Sequence, residues 1–309
     1  MASKSDLCTS VRYRDAHCYL PLVEGVLLIK LVLTDMDNTL VPIGAGRVSS
    51  RALCAIEGLR SVGITFGLIT GRSPSELLPF FGGDAGYFST GVLCNGKKVF
   101  VDGECVLSRG FEFDALERLL AIVRTVPRTF MCFYPEDNGG KNLVYTVGGS
   151  PELVDGFAQR VGFLPTSMEV PPDVPYLGAV IASEAPHEAM EALRARACDE
   201  VPELDIYETF AGWYDVLPHG VNKATGLRVL MRELGVAPGD VVVFGDGEND
   251  LAMMGEVENS VAVANAMPSV AKTARWHVGA SAEDGVAIAM EQIAQAAREG
   301  GTPKFMGLS

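Results

Sequence analysis

The chain has 309 residues, 48% of them hydrophobic and 21% charged, with a formal net charge of −14. Such a composition supplies a large buried core and excludes a disordered or low-complexity protein. The acidity argues against a nucleic-acid partner, because phosphate backbones are held by clustered Lys and Arg.

The seven cysteines are scattered with no CxxC, and His17, His187, His219 and His277 are isolated. A zinc site or disulfide framework is therefore not expected, and a reducing compartment is. The apolar stretch Leu20 to Leu33 is interrupted by Glu24 and Lys30 and is too short to span a bilayer. With no signal-peptide pattern or membrane span, the expected location is the cytoplasm. Residues 1–20 read as an N-terminal extension.

In chain order, LVLTDMDNTL (Leu31 to Leu40) runs an apolar strand into Asp35 and Asp37. Ser49 to Val62 places Leu53, Ile56, Leu59 and Val62 on one helical face, and Ile64 to Thr70 is a short β-branched run that reads as a buried strand. Ser73, Pro74 and Glu76 form a helix-start signal. Near the C-terminus the same rhythm returns. A helix over Asn222 to Leu234 ends at Gly235, a strand over Val241 to Phe244 breaks into GDGEND, and VAVAN (Val261 to Asn265) precedes a final helix around Gly285 to Ala297. This βαβ alternation predicts an α/β fold, a Rossmann-like parallel-sheet core with helices on both faces.

The middle of the chain reads differently. Helix starts fall at Asp114 and Pro151, with strand-like runs at Thr129 to Tyr134, Leu143 to Val147 and Leu177 to Ala182, heavily punctuated by Gly and Pro. The expectation is a core made of residues 21–107 and 218–309, interrupted by an inserted α+β domain over 108–217.

In an open α/β sheet, ligands sit outside the carboxyl ends of the strands. Those ends carry Asp35, Asp37, Thr70 and Asp246, and three carboxylates from two strands suit Mg²⁺. A dication would offset the repulsion between two carboxylates only one residue apart. Taken singly these signals are weak: a lone DxD is commonly a turn, and Lys223 alone is a solvated helix lysine. Their shared placement at strand ends is what carries weight.

DMDNTL, ITGR, the lysine of HGVNKATGL and GDGENDLAMM resemble the four motifs of the haloacid dehalogenase superfamily. A large insertion between the second and third motifs resembles its Cof-like branch, whose cap is of type II. STGVLCNGKKVFVDGECVL, VANAMPSV and SAEDGVA extend the likeness over about Leu31 to Ile293. Family members usually carry Gly where this chain has Asn38, and Asn tolerates left-handed backbone geometry better than most residues.

The resemblance implies a phosphatase acting through an aspartyl-phosphate. Asp35 would be the nucleophile and Asp37 the general acid and base, kept partly protonated by a carboxylate neighbour. Thr70, Gly71, Arg72 and Lys223 would hold the phosphoryl group, with Asn95 a further substrate contact. Mg²⁺ would sit on Asp35, Asp37 and Asp246, with Asn249 and Asp250 completing or orienting the shell. The substrate class implied is a small phosphorylated metabolite, most of all a sugar phosphate, for a monomer or homodimer. The cap would choose the leaving group, with Glu208, Trp213 and Tyr214 as further candidates by position. A phosphomutase or other phosphotransferase on the same scaffold, and a catalytically silent phosphate-binding protein, are the rival readings.

Overall fold

The structure is a computed structural model, and it describes residues 28–136, 143–161, 164–167 and 174–307. The expectation for residues 1–20 lies outside the described residues.

The first sheet is built around β1 (Leu31–Thr34) and β2 (Thr65–Ile69), separated by α1 (Ser50–Arg60). After the single-turn α2 (Pro74–Leu77) come β3 (Gly91–Leu93), β4 (Lys98–Val101) and β5 (Glu104–Ser108). The next segment contributes α3 (Phe113–Val123), β6 (Thr129–Pro135), β7 (Leu143–Gly148), α4 (Pro151–Val161), β8 (Leu164–Ser167), β9 (Tyr176–Ser183), α5 (His187–Glu200), β10 (Leu204–Phe210) and β11 (Trp213–Pro218). The chain then returns through α6 (Lys223–Leu234), β12 (Val241–Gly245), α7 (Leu251–Met254), β13 (Asn259–Val263), α8 (Pro268–Thr273), β14 (Trp276–Val278) and α9 (Gly285–Glu299).

Among the described residues, the first sheet has the order β14-β13-β12-β1-β2-β3-β4-β5. It is parallel from β14 to β3, and β3, β4 and β5 extend it as an antiparallel edge. Both faces are covered, which is why β1 and β12 read as unbroken apolar runs rather than alternating ones. Val32, Phe66, Val242 and Phe244 pack against α1 and α9, while Leu31, Leu33, Val241 and Val243 pack against α6, α7 and α8. This is the doubly wound α/β core expected from the βαβ rhythm.

The second sheet has the order β10-β11-β9-β6-β7-β8 and is antiparallel except between β7 and β8. Buried residues of α3 and α5 cover the face bearing Met131, Phe133, Ile181, Tyr214 and Val216. On the opposite face, α4 packs Val154 and Phe157 against Phe130, Ala182 and Trp213. The insertion is thus an α+β layer on a separate hydrophobic core, interrupting the first sheet between β5 and β12.

Local starts differ in detail from the sequence expectation. The α3 helix opens at Phe113 behind Glu112, and Asp114 lies inside its first turn, where it accepts from Arg118 at 3.1 Å. At α2, the Ser73 hydroxyl donates to Glu76 Oε2 at 2.6 Å instead of accepting a backbone amide, and the Ser73 N–H meets the same oxygen at 2.8 Å. A 3₁₀ turn over Leu78–Phe81 follows at once, because Pro79 has no N–H to continue the α-helical ladder. The β3–β5 edge, α5 and the β10–β11 hairpin were not foreseen from periodicity.

Candidate active site

Three neighbouring strands end on the same rim. The Asp35 N–H donates to Phe244 O at 2.9 Å, extending the β1–β12 ladder by one residue, and Thr70 N–H donates to Val92 O at 2.9 Å just past β2. Asp246 follows Gly245, the last residue of β12. Parallel register therefore brings Asp35, Thr70 and Asp246 together from positions far apart in the chain.

Lys223 enters this rim as the first residue of α6. Its ammonium donates to Asp35 Oδ1 at 2.6 Å and to Asp250 Oδ1 at 2.6 Å, with the lysine side chain fully buried. The helix start is held by Asn222, whose Oδ1 accepts the Thr225 N–H at 3.0 Å while Thr225 Oγ1 accepts the Asn222 N–H. Close backbone approach also sets it: a Cβ on Gly96 would lie 2.0 Å from Asn222 O, and one on Gly226 would lie 2.4 Å from Val92 Cγ1. Burial alone would lower the Lys223 ammonium, but Asp250 and Asp35 together hold it above the ordinary lysine range.

Asp250 is also fully buried, and its second oxygen accepts the Asp246 N–H at 2.9 Å and the Gly247 N–H at 3.0 Å. One carboxylate thus ties the acidic loop to the lysine. Asp246 accepts from Thr39 Oγ1 at 2.6 Å and from Asn38 Nδ2 at 2.7 Å. Asn38 occupies the left-handed region, with φ 58°, and its carbonyl accepts from Asn265 Nδ2 at 2.7 Å. The Asn265 side chain lies just beyond the end of β13, so a fourth strand end supports the site.

Asp35, Asp246 and Asp250 each offer a carboxylate oxygen, all within 4.8 Å of one another. Burial pushes Asp35 up to about 7, against the opposing pull of Lys223, and burial raises Asp246 as well. With all three carboxylates ionised against the one ammonium, the cluster, in which Asp246 is half-buried, carries an excess of two negative charges. A divalent cation with hard-oxygen preference balances that excess, so the donor set fits such an ion.

Asp37 lies apart from this group. Its side chain is 53% exposed, and both oxygens accept from the Arg72 guanidinium at 2.7 Å as a bidentate fork. The sequence reading put a carboxylate beside Asp37; the structure puts a cation there, because Arg72 turns back over the Phe80 ring, 4.6 Å from its centroid, and reaches the loop after β1. Thr70 is buried, and its hydroxyl oxygen accepts the Arg72 N–H at 3.2 Å.

Asn95 sits on the turn after β3 with φ 54°, packed where a side chain on Gly71 would go. Its Oδ1 is 3.5 Å from Asn249 Nδ2, and its Nδ2 is 3.4 Å from Asp215 Oδ2 on β11. Of the further cap candidates, Trp213 stacks on Phe157 and Tyr214 is buried in the α3–α5 core. Glu208 accepts from Gly212 N–H within its own hairpin. Asp215, the residue after Tyr214, was missed. Its signal was a carboxylate inside the apolar run WYDVLP, on the same strand face as Trp213 and Leu217.

Among the described residues, no helix is long and apolar enough to cross a membrane. A family profile described as haloacid dehalogenase-like hydrolase matches residues 32–290. A 5-amino-6-(5-phospho-D-ribitylamino)uracil phosphatase of Escherichia coli is 26% identical over 269 residues, covering 86% of this chain and 96% of that protein. An HMP-PP phosphatase of Escherichia coli is 28% identical over 250 residues, covering 79% and 87% respectively. Among solved structures, a haloalkanoate-superfamily phosphatase of Bacteroides thetaiotaomicron superposes with a TM-score of 0.75 at 20% identity, over 88% of this chain and 97% of that one. The chain belongs to the haloacid dehalogenase-like hydrolases, and it is a phosphatase-type enzyme of their Cof-like branch.

Proposed function

We propose that this protein is a Mg²⁺-dependent phosphatase of small phosphorylated metabolites, with sugar phosphates the foremost class. The observation that carries the proposal is the constellation of Asp35, Asp246, Asp250 and Lys223 where the adjacent ends of β1 and β12 meet the start of α6. The names of the similar phosphatases, which include a sugar phosphatase at TM-score 0.70 and 20% identity, support the substrate class.

An Asp35 oxygen attacks phosphorus in line, the bond to the leaving oxygen breaks, and a proton from Asp37 goes to that oxygen. Water then attacks the aspartyl-phosphate. Asp37 takes its proton, and inorganic phosphate leaves with the Asp35 carboxylate restored. Thr70, Lys223 and the amides of the Gly71-Arg72 turn hold the phosphoryl oxygens as charge builds on them. The Arg72 fork holds both Asp37 oxygens and must release one of them when Asp37 gives or takes the proton. Asp35 and Asp246 would hold the Mg²⁺, together with the Asp37 carbonyl, while Asn249 and Asp250 orient the loop and Asp250 fixes Lys223. When bound, the ion supplies charge neutralisation at the transferring phosphoryl group. Residues 108–217 serve as the cap over this rim and exclude water from it.

The test is a Mg²⁺-supplemented screen of the purified protein against phosphorylated metabolites and p-nitrophenyl phosphate, with Asp35→Asn as the control. Metal-dependent release of phosphate, lost in Asp35→Asn, is expected. A folded wild type that hydrolyses no small phosphate overturns the reading, and transfer to a sugar hydroxyl in place of water converts it to a phosphotransferase.

A further inference from the structure

The cations around the rim are nearly all matched. Lys223 meets Asp35 and Asp250, Arg72 meets Asp37, and Lys98 meets Glu136 at 2.8 Å. Lys97 is the exception. It is only 5% exposed, yet among the described residues its ammonium makes no hydrogen bond or ion pair, and its one close partner is the face of Phe111, 5.1 Å from the ring centroid. The Lys97 ammonium keeps only a narrow opening to solvent, and the ring face replaces only part of the water that burial removes.

The position of Lys97 says where a missing acceptor would lie. It follows the Asn95-Gly96 turn directly, and Gly96 is pressed against Asn222, the residue before the buried Lys223. Burial holds the Lys97 ammonium below the ordinary lysine range, while Cys94, Asp215 and Glu76 act the other way. Cys94 is a buried neutral thiol, its own pKa pushed up to about 12, and Glu76 is engaged by Ser73. Asp215 lies on the face of the second sheet that meets Asn95, opposite the face covered by α3 and α5. Lys97 and Asp215 thus flank Asn95 on the cap side of the phosphoryl cradle. On the phosphatase reading, a leaving alcohol would lie on this side.

Resting on the phosphatase reading, we propose that Lys97 is a specificity residue whose ammonium receives a second anionic group on the leaving alcohol, a carboxylate or a further phosphoryl, while Asp215 accepts from a hydroxyl of the same group. An anion suits the position better than a neutral hydroxyl, since a buried ammonium gains most from an opposite formal charge. Asp215 in turn disfavours any leaving group whose negative charge falls on its side, which makes the subsite directional.

Two substrate pairs test this in the presence of Mg²⁺: 6-phosphogluconate against glucose 6-phosphate for the carboxylate, and fructose 1,6-bisphosphate against fructose 6-phosphate for the phosphoryl. The wild type should favour the more acidic member of at least one pair by about tenfold or more in kcat/KM. Lys97→Met should erase that preference chiefly through KM, and Lys97→Arg should keep part of it. A purely structural role would lower both members of each pair equally. The wild-type comparison stands whether or not a variant folds. No preference in either pair, or an equal loss on all four substrates in Lys97→Met, overturns the proposal while leaving the phosphatase reading intact. Failure to hydrolyse these four and p-nitrophenyl phosphate overturns both.

Discussion

Lys223 and Asp35 are 188 residues apart in sequence, and their ammonium and carboxylate meet at 2.6 Å inside the protein. The same ammonium holds Asp250 at 2.6 Å, so one helix terminus and two strand ends are locked by a single cation. Removing that cation by Lys223→Met leaves Asp35 and Asp250 buried without a counter-ion, which should cost roughly 3–5 kcal/mol. Urea unfolding measures the loss. The double variant with Asp250→Asn should lose less than the sum of the single changes, because one of the two uncompensated charges is then gone. Strict additivity would show that the two residues act separately.

Asp35 makes the metal-free protein sensitive to pH. Burial raises its carboxyl from the ordinary 3.8 to about 7. Between those values the folded state holds a proton that the unfolded state has released. The contribution of this group is therefore fully present below about pH 4 and lost as pH rises through 7. Metal-free protein should melt at a lower temperature at pH 8 than at pH 6. Asp35→Asn should flatten that slope and raise the pH 8 melting temperature by a few degrees. Adding Mg²⁺ at pH 8 should stabilise the wild type far more than the variant. A wild-type slope unchanged in Asp35→Asn would assign the effect elsewhere.

Asn38 holds a left-handed backbone conformation and donates to Asp246. Asn38→Gly and Asn38→Ala both lose the side-chain bond, but only alanine keeps a Cβ in that region, at about 1–2 kcal/mol. The alanine variant should therefore be the less stable of the two. The loss in Mg²⁺ affinity common to both, read by calorimetric titration, reports the bond to Asp246. Equal stabilities of the two variants would contradict the backbone assignment.

Gly96→Ala tests how Lys223 is positioned. A Cβ there would lie 2.0 Å from Asn222 O, at φ +94°, so the start of α6 must move. Overpacking of this kind costs about 1–3 kcal/mol. The drop in kcat should exceed what the lost stability explains, because the shift carries the Lys223 ammonium off the transferring group. Unchanged kcat in the folded variant would show that α6 tolerates the displacement.

The legible part of the molecule was the part with local signatures. Strands β1, β2 and β12 announced themselves as short apolar runs ending in Asp35, Thr70 and Asp246, and Asn222 with Gly235 bracketed α6. The second sheet was read less completely. Of its β10–β11 hairpin, β10 carries polar residues on a half-exposed surface while β11 is buried on both faces, so no clean period marks the pair, and Asp215 passed as one more acidic residue.

Residue types and spacings alone determined the α/β class, the two ends of α6 and the four candidate segments at strand ends and a helix start, since periodicity and capping depend on neighbours within a turn or two. Pairing was decided in three dimensions. The fork between Arg72 and Asp37, the shared hold of Lys223 on Asp35 and Asp250, and the seat of the Lys97 ammonium over Phe111 all arise where distant segments converge. Charge complementarity acts over a few ångströms in space, and no interval along the chain encodes that distance.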